Sequence, residues 1–354
     1  MAENRMLIQR KLLPFFLLFL LTPALHASPT STSYPKNPTS NQSVECISDN
    51  SIKCYAAASQ KLLWENHLVN TPHGMLLRGD KLYVNSDHVA MILNVHDGQL
   101  IAQIHNEGTL FDPVVTSGRL ILSDQQGWIR VIDLPTMNTL WRRRIEQSWV
   151  YPPAVIGGAV ITGGRDGVAT ALDLSSGEIL WRKKIGQELV YRPVIAAGKI
   201  FISSFDGKLR SIDPKSGTIV AELQLDSPVF AIFPDLNEKL YAAGYDGNLY
   251  AINARNNSLL WNQRLADSLR FYFSVGTHEI ASIDHAGNFM LIDKQTGSVI
   301  QHTRFEGRYQ VSPLMTHSKI RLFPRGKPFS TFKTLKRIKQ IPDHPEVKNE
   351  TEKS

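Results

Sequence analysis

Residues 204–221 read SFDGKLRSIDPKSGTIVA, and residues 244–261, forty positions on, read GYDGNLYAINARNNSLLW. In both, an Asp-Gly pair opens a run of alternating apolar and polar residues, and the run closes on Asp213 or Asn253. A second turn follows, and then an aliphatic segment. Alternation at period two marks a half-buried strand, and Gly, Asn and Asp tolerate the positive φ that a two-residue hairpin turn asks of its central positions. Each stretch therefore reads as two tight turns separating three strands.

The pattern recurs along most of the chain. Aligned on Trp261, the same slot falls at Trp64, Ala102, Trp141, Trp181, Ala221, Trp261 and Gln301, with spacings of 38, 39 and then 40 residues. Ahead of each slot stands a turn pair: Asp49-Asn50, Asp87-His88, Gln126-Gly127, Asp166-Gly167, Asp206-Gly207, Asp246-Gly247 and Ala286-Gly287. After the alternating run, Ser176-Gly177, Ser216-Gly217 and Thr296-Gly297 mark the second turn. There the preceding Asp is expected to accept backbone N–H bonds while Gly takes the left-handed conformation.

Each unit of about forty residues thus holds four short strands. It cannot bury both faces alone, whereas radial packing of several such units buries all but the rim. The repeat predicts an all-β, seven-bladed β-propeller of four-stranded antiparallel blades. Residues 49–68 supply only a third and a fourth strand. Residues 309–323, YQVSPLMTHSKIRLF, supply a first and a second, with Lys319 and Ile320 in register with Lys199 and Ile200. The closing blade is therefore expected to be shared by the N- and C-terminal segments, which removes the free edges. Residues 325–341 either add a competing third strand or leave the disc. The propeller is placed at 45–332, followed by a polar tail at 333–354.

The N-terminus reads as a targeting segment. Arg5, Arg10 and Lys11 precede the apolar run LLPFFLLFLLTPALHA, and Ala27 suits a signal peptidase, so residues 1–27 are read as a signal peptide; the competing reading is an uncleaved anchor. Residues 28–44, rich in Ser, Thr, Pro and Asn, form a linker. No cysteine near the end of the apolar run offers a lipid acceptor, so the expected location is periplasmic or secreted, with no transmembrane span in the mature chain. The net charge of +7 falls to +5 once the leader's net +2 is removed, which favours anionic company and, outside the cytoplasm, not nucleic acid. Cys46 and Cys54 flank a predicted turn and are expected to form a disulfide, the alternative being two free buried thiols.

In ALDLSSGEILW, residues 171–181, the positions Ala171, Asp173, Ser176, Gly177 and Trp181 stand at the spacing of the tryptophan-docking motif of pyrroloquinoline-quinone-like (quinoprotein-type) β-propeller repeats. The chain resembles that superfamily over residues 49–322. The resemblance implies that Trp64, Trp141, Trp181 and Trp261 pack between neighbouring blades, and Ala102, Ala221 and Gln301 depart from the motif. Within the superfamily the chain is similar in size and bareness to the BamB-like non-enzymatic branch. It differs from that branch in its seven predicted blades and its missing lipid-acceptor cysteine.

Two surfaces are candidate sites. The starts of the first strands line one mouth of the central channel with His73, Phe111, Tyr151, Tyr191 and Phe271, with Asp112, Arg192 and Tyr272 one position on and Phe230 close by. Such rings suit a sugar or an extended peptide, or they fill the wedges between blades. On two adjacent outer strands, Arg142, Arg143 and Arg144 neighbour Arg182, Lys183 and Lys184. This basic rim suits an acidic partner or guards the edges against pairing. The eleven His show no zinc-ligand spacing and no nucleophile elbow is present, so neither a metal site nor catalytic residues are expected.

The resulting expectation is a non-enzymatic, exported propeller without cofactor. It would act as a monomer within a complex, as a protein–protein interaction scaffold in the cell envelope, including outer-membrane protein assembly. The alternatives are a quinone-dependent oxidoreductase using PQQ with calcium, and a propeller that binds anionic polysaccharide.

Overall fold

The computed structural model describes residues 44–48, 51–56, 59, 61–67, 72, 74–145, 150–235, 238–266, 271–309, 313–315, 319–322 and 333–336. Among them every regular element is a strand, and every sheet is an antiparallel meander. The seven repeat copies form seven blades in chain order: residues 44–66, 74–105, 114–144, 154–184, 194–224, 229–264 and 271–304. They are called blades 1 to 7 below, and a further C-terminal sheet spans residues 314–336.

Radial packing explains the burial pattern. Along Lys199–Ser203, Ile200 and Ile202 pack towards blade 4, while Phe201 packs towards blade 6. Both faces of a blade's middle strands are therefore core. Seven hydrophobic clusters each join two consecutive sheets, from Trp64 and Cys54 against Leu82 and Val84 to Ile283 and Phe289 against Ile320 and Leu322. Only the outer strand of each blade departs from this, with long exposed stretches on Thr139–Arg144 and Ile179–Lys184.

The second turn follows the sequence reading. Asp173 accepts bonds from the Ser175 hydroxyl and from the backbone of Ser176 (2.8 Å) and Ser175 (2.9 Å), and these bonds hold its carboxyl down to about 2. Asp213 and Asp293 repeat the arrangement. The first turn is longer than expected. Ser204 O accepts from Gly207 N at 3.1 Å, and Gly207 alone takes a positive φ (77°) while Asp206 does not. The two-residue loop is corrected to a three-residue one, Phe205 to Gly207, closed by the Ser204–Lys208 pair and ending on the left-handed glycine.

The docking tryptophans account for the glycine of the second turn. Trp64, Trp141 and Trp181 donate their indole N–H to Val95 O (2.7 Å), Leu174 O (2.9 Å) and Pro214 O (2.9 Å), each in the next blade. A Cβ at Gly217, whose φ is +70°, would lie 2.6 Å from the Trp181 ring; Gly98, Gly177 and Gly297 are equally close to Trp64, Trp141 and Trp261. At the blade 6–7 contact the acceptor at Lys294 O is taken by the Tyr241 hydroxyl (3.3 Å) instead of the Trp261 indole.

The shared closing blade is not what forms. Val44–Ser48 pairs with Ile52–Ala56, Cys46 directly opposite Cys54, and the two are disulfide-bonded. Lys319–Leu322 pairs with Lys333–Lys336 instead, so the competing third strand exists and the polar tail begins later than residue 333. The physical reason lies in one slot, two strands inward from the docking position. In blades 2 to 7 it holds Tyr83, Ile121, Ile161, Phe201, Tyr241 and Ala281, all buried. In the expected closure this slot would receive Arg321, whose charge would lose its hydration there. In blade 1 the slot holds Cys46.

Replacing Gly217 with Ala is expected to cost about 2 kcal/mol or more, because the left-handed backbone and the Trp181 ring both oppose a methyl group. Urea unfolding should show that the cost shrinks when Trp181→Ala is already present. Equal cost in both backgrounds would mean that the ring does not meet the glycine.

Candidate functional site

One mouth of the channel is built where the first strands begin and the first turns end. Phe111 N donates to Ser123 O (3.0 Å), Tyr151 N to Gly163 O (3.1 Å) and Val190 N to Ser203 O (3.1 Å), which fixes these first-strand starts beside the turns of their own blades. The expected mouth residues Phe111, Asp112, Tyr151, Tyr191 and Arg192 come together there. The Phe111 and Tyr151 rings lie 6.1 Å apart, and the Arg192 guanidinium sits 5.6 Å over the Tyr191 ring. Arg192 also reaches Asp112, which occupies the same slot two blades away, at 4.0 Å. Tyr272 packs edge-on against His285 at 5.4 Å, and Phe271 starts its strand, Phe271–Val275. His73 lies outside the described residues.

Asp112 is a buried carboxylate at this mouth. It is buried against the backbone of Gly74, where a Cβ would stand 2.3 Å from its Oδ1, and that oxygen has no hydrogen-bond donor among the described residues. Burial pushes its carboxyl up to about 6, with the Arg192 charge pulling the other way. Burial likewise raises the Tyr151 hydroxyl, which lies near Arg165, Glu188 and Tyr245.

Several mouth residues escaped the sequence reading. Arg165 pairs with Glu188 at 3.0 Å, and Tyr245 stacks on Phe205 (5.9 Å) and meets Phe230 edge-on (5.3 Å). Arg165, Phe205, Tyr245 and His285 all stand immediately before the turn pair, and that common position is the signal that could have found them. The rings and charges of this mouth are largely engaged with one another.

The basic rim is divided. Arg142 pairs with Glu107 (3.1 Å) and covers Trp128 (4.0 Å); Arg143 donates to Gly177 O (2.8 Å) in the next blade. Arg182 pairs with Asp166 (3.8 Å), and Lys184 donates to Asp166 O. Arg144 and Lys183 are exposed, and among the described residues neither faces a carboxylate within ion-pair distance. The sequence reading also missed the apolar component of the rim. Among the described residues, thirteen of the fourteen exposed large hydrophobics occupy the two positions before the docking slot, from Leu62 and Leu63 in blade 1 to Val299 and Ile300 in blade 7. The fourteenth is Phe205.

Comparison with known proteins agrees with this architecture. The family model described as outer membrane protein assembly factor BamB matches residues 125–232 and 224–303. The chain belongs to this BamB-like family of PQQ-type propellers. Its fold is similar to that of the computationally designed Ika8 protein, with a TM-score of 0.74 and 14% identity over 85% of this chain and 94% of that one. It is also similar to BamB from Moraxella catarrhalis, with a TM-score of 0.65 and 17% identity over 80% of this chain and 89% of that one. No curated protein sequence matches.

The Asp112 geometry carries a sign. Its folded pKa is raised, so its contribution to stability is fully present below pH 4 and is lost as pH rises through 6, by on the order of 3 kcal/mol. Thermal melts of wild type and Asp112→Asn from pH 3.5 to 8 should show the variant gaining on wild type across that interval. A gap independent of pH would contradict the buried, raised carboxyl.

Proposed function

We propose that the protein is a non-enzymatic interaction scaffold of the cell envelope, exported by its N-terminal segment, and that it serves protein assembly at the outer membrane. The observation that carries this reading is the distribution of exposed apolar residues, which fall on the outer strand of all seven repeat blades while the mouth packs against itself. Adjacent exposed aliphatic residues repeated on the outer strands offer a partner apolar contact area. Membership of the BamB-like family supports the same direction.

The quinone reading finds less support in the mouth. Calcium takes six to eight oxygen ligands. Here the buried carboxylate Asp112 faces the Arg192 guanidinium at 4.0 Å, and among the described residues no group of three or more His, Cys, Asp and Glu side chains is placed to hold a metal. The pairing of Asp112 with Arg192 supports the reading without a quinone and calcium. The mouth rings remain open to a polysaccharide only where they are exposed, as at Phe205.

Purification of the native protein from its own envelope, with light cross-linking and mass spectrometry, should recover one protein partner in fixed stoichiometry. The same preparation should show no dye-linked dehydrogenase activity after quinone and calcium are added. A solitary ring that gains such activity would reverse the assignment.

A further inference from the structure

The rim is not uniform, and blades 3 and 4 differ from the others in a way that selects a partner. Their outer strands, Thr139–Arg144 and Ile179–Lys184, stand last in their sheets, so each presents one unpaired backbone edge among the described residues. Each carries exposed aliphatic side chains at its start, Leu140 in one and Ile179 with Leu180 in the other, and three consecutive cations at its end. Among the described residues Arg142 pairs with Glu107 and Arg182 with Asp166, Arg144 and Lys183 are exposed without a carboxylate at ion-pair distance, and the two strands belong to consecutive blades. The corresponding strand of blade 5, Ile219–Gln224, carries Glu222, which Lys208 (2.7 Å) and Arg210 (2.6 Å) already neutralise.

We propose that the outer edges of blades 3 and 4 dock an extended segment of a partner protein that carries two aliphatic residues at one end and a run of carboxylates at the other. This deepens the scaffold reading and rests on it. The free edge supplies backbone donors and acceptors for a fifth strand. The aliphatic end supplies apolar contact, and the cationic end sets partner charge and register. At about 3.3 Å per residue, the six positions of each strand fix the length of the docked segment at roughly five or six residues. The charge requirement also explains why one edge type is selective: an apolar strand without carboxylates would leave Arg144 on one edge, or Lys183 on the other, with no carboxylate to face among the described residues. A second copy of this chain is disfavoured for the same reason, since cationic edges would meet.

The probe is a fluorescein-labelled hexapeptide of two valines, one threonine and three glutamates in that order, titrated into the full mature chain by fluorescence anisotropy. Saturable binding is expected, with a loss of about tenfold or more in affinity for Arg143→Glu combined with Lys183→Glu. Loss is also expected when the glutamates are replaced by lysines, or when alternate peptide nitrogens are methylated to block backbone pairing. Leu180→Asn, which alters no charge, should weaken binding as well and keeps the test open if the charge-reversed variant fails to fold. Equal affinity for the methylated peptide would reveal a surface for polyanions in general, such as an anionic polysaccharide, and would overturn strand docking. Absence of binding to every peptide would also overturn it. If the native envelope partner is still retained by the charge-reversed variant, the scaffold reading stands and this site is refuted.

Discussion

The ring depends on an indole laid flat on a left-handed glycine of the next blade. Trp64, Trp141, Trp181 and Trp261 meet Gly98, Gly177, Gly217 and Gly297. A side chain at any of these glycines would strike the ring, and an L residue there would strain the backbone as well. The pairing is reciprocal within this one sequence. Where the slot holds Ala102, the next blade has Met137 at the glycine position, with φ 58°, and the methionine packs towards Ala102. Where the slot holds Ala221, the next blade has Asn257, with φ 62°, whose amide reaches back to Leu209 O at 3.5 Å. Volume removed from one blade is thus returned by its neighbour, as close packing requires.

Function follows from what this packing leaves outside. Because both faces of the middle strands are buried, a partner can reach only the two mouths and the rim. At the mouth described here, ion pairs and ring contacts join blades 3 to 6 to one another. On the rim, the outer strands keep, among the described residues, a free backbone edge with exposed aliphatic residues at its start. The chemistry of each edge is then set by the three residues after the docking slot, which vary from RRR and RKK to ELQ, NQR and HTR. A constant core with variable edges suits a protein that presents different surfaces around one disc.

Most of this architecture was legible in the sequence because a forty-residue period leaves the same mark seven times. The turn aspartates and the second-turn glycines were placed by spacing, and the docking role of the tryptophans by the resemblance to PQQ-like repeats. The closure was not, although one residue held the clue. Lys319 and Ile320 match the repeat register, but Arg321 then falls in a slot that is apolar and buried in six blades. Register is a statement about strands, whereas burial at that slot depends on the neighbouring blade, which the repeat alignment does not display. Phe205 and Tyr245 were overlooked for a related reason: a residue beside a turn pair reads as solvent-facing until the next blade's ring is seen against it. The charges of the basic rim stand side by side in the sequence, but the bond from Arg143 to Gly177 O joins positions 34 residues apart and has no local signature.

The reciprocal pairing of indole and glycine is tested most directly by writing it into an interface that lacks it. Unfolding free energies should be measured for Ala102→Trp, Met137→Gly and the combination. The account predicts that each single change destabilises the ring, one by overpacking and the other by leaving a cavity, and that the pair together recovers most of the loss. Strictly additive costs would contradict it.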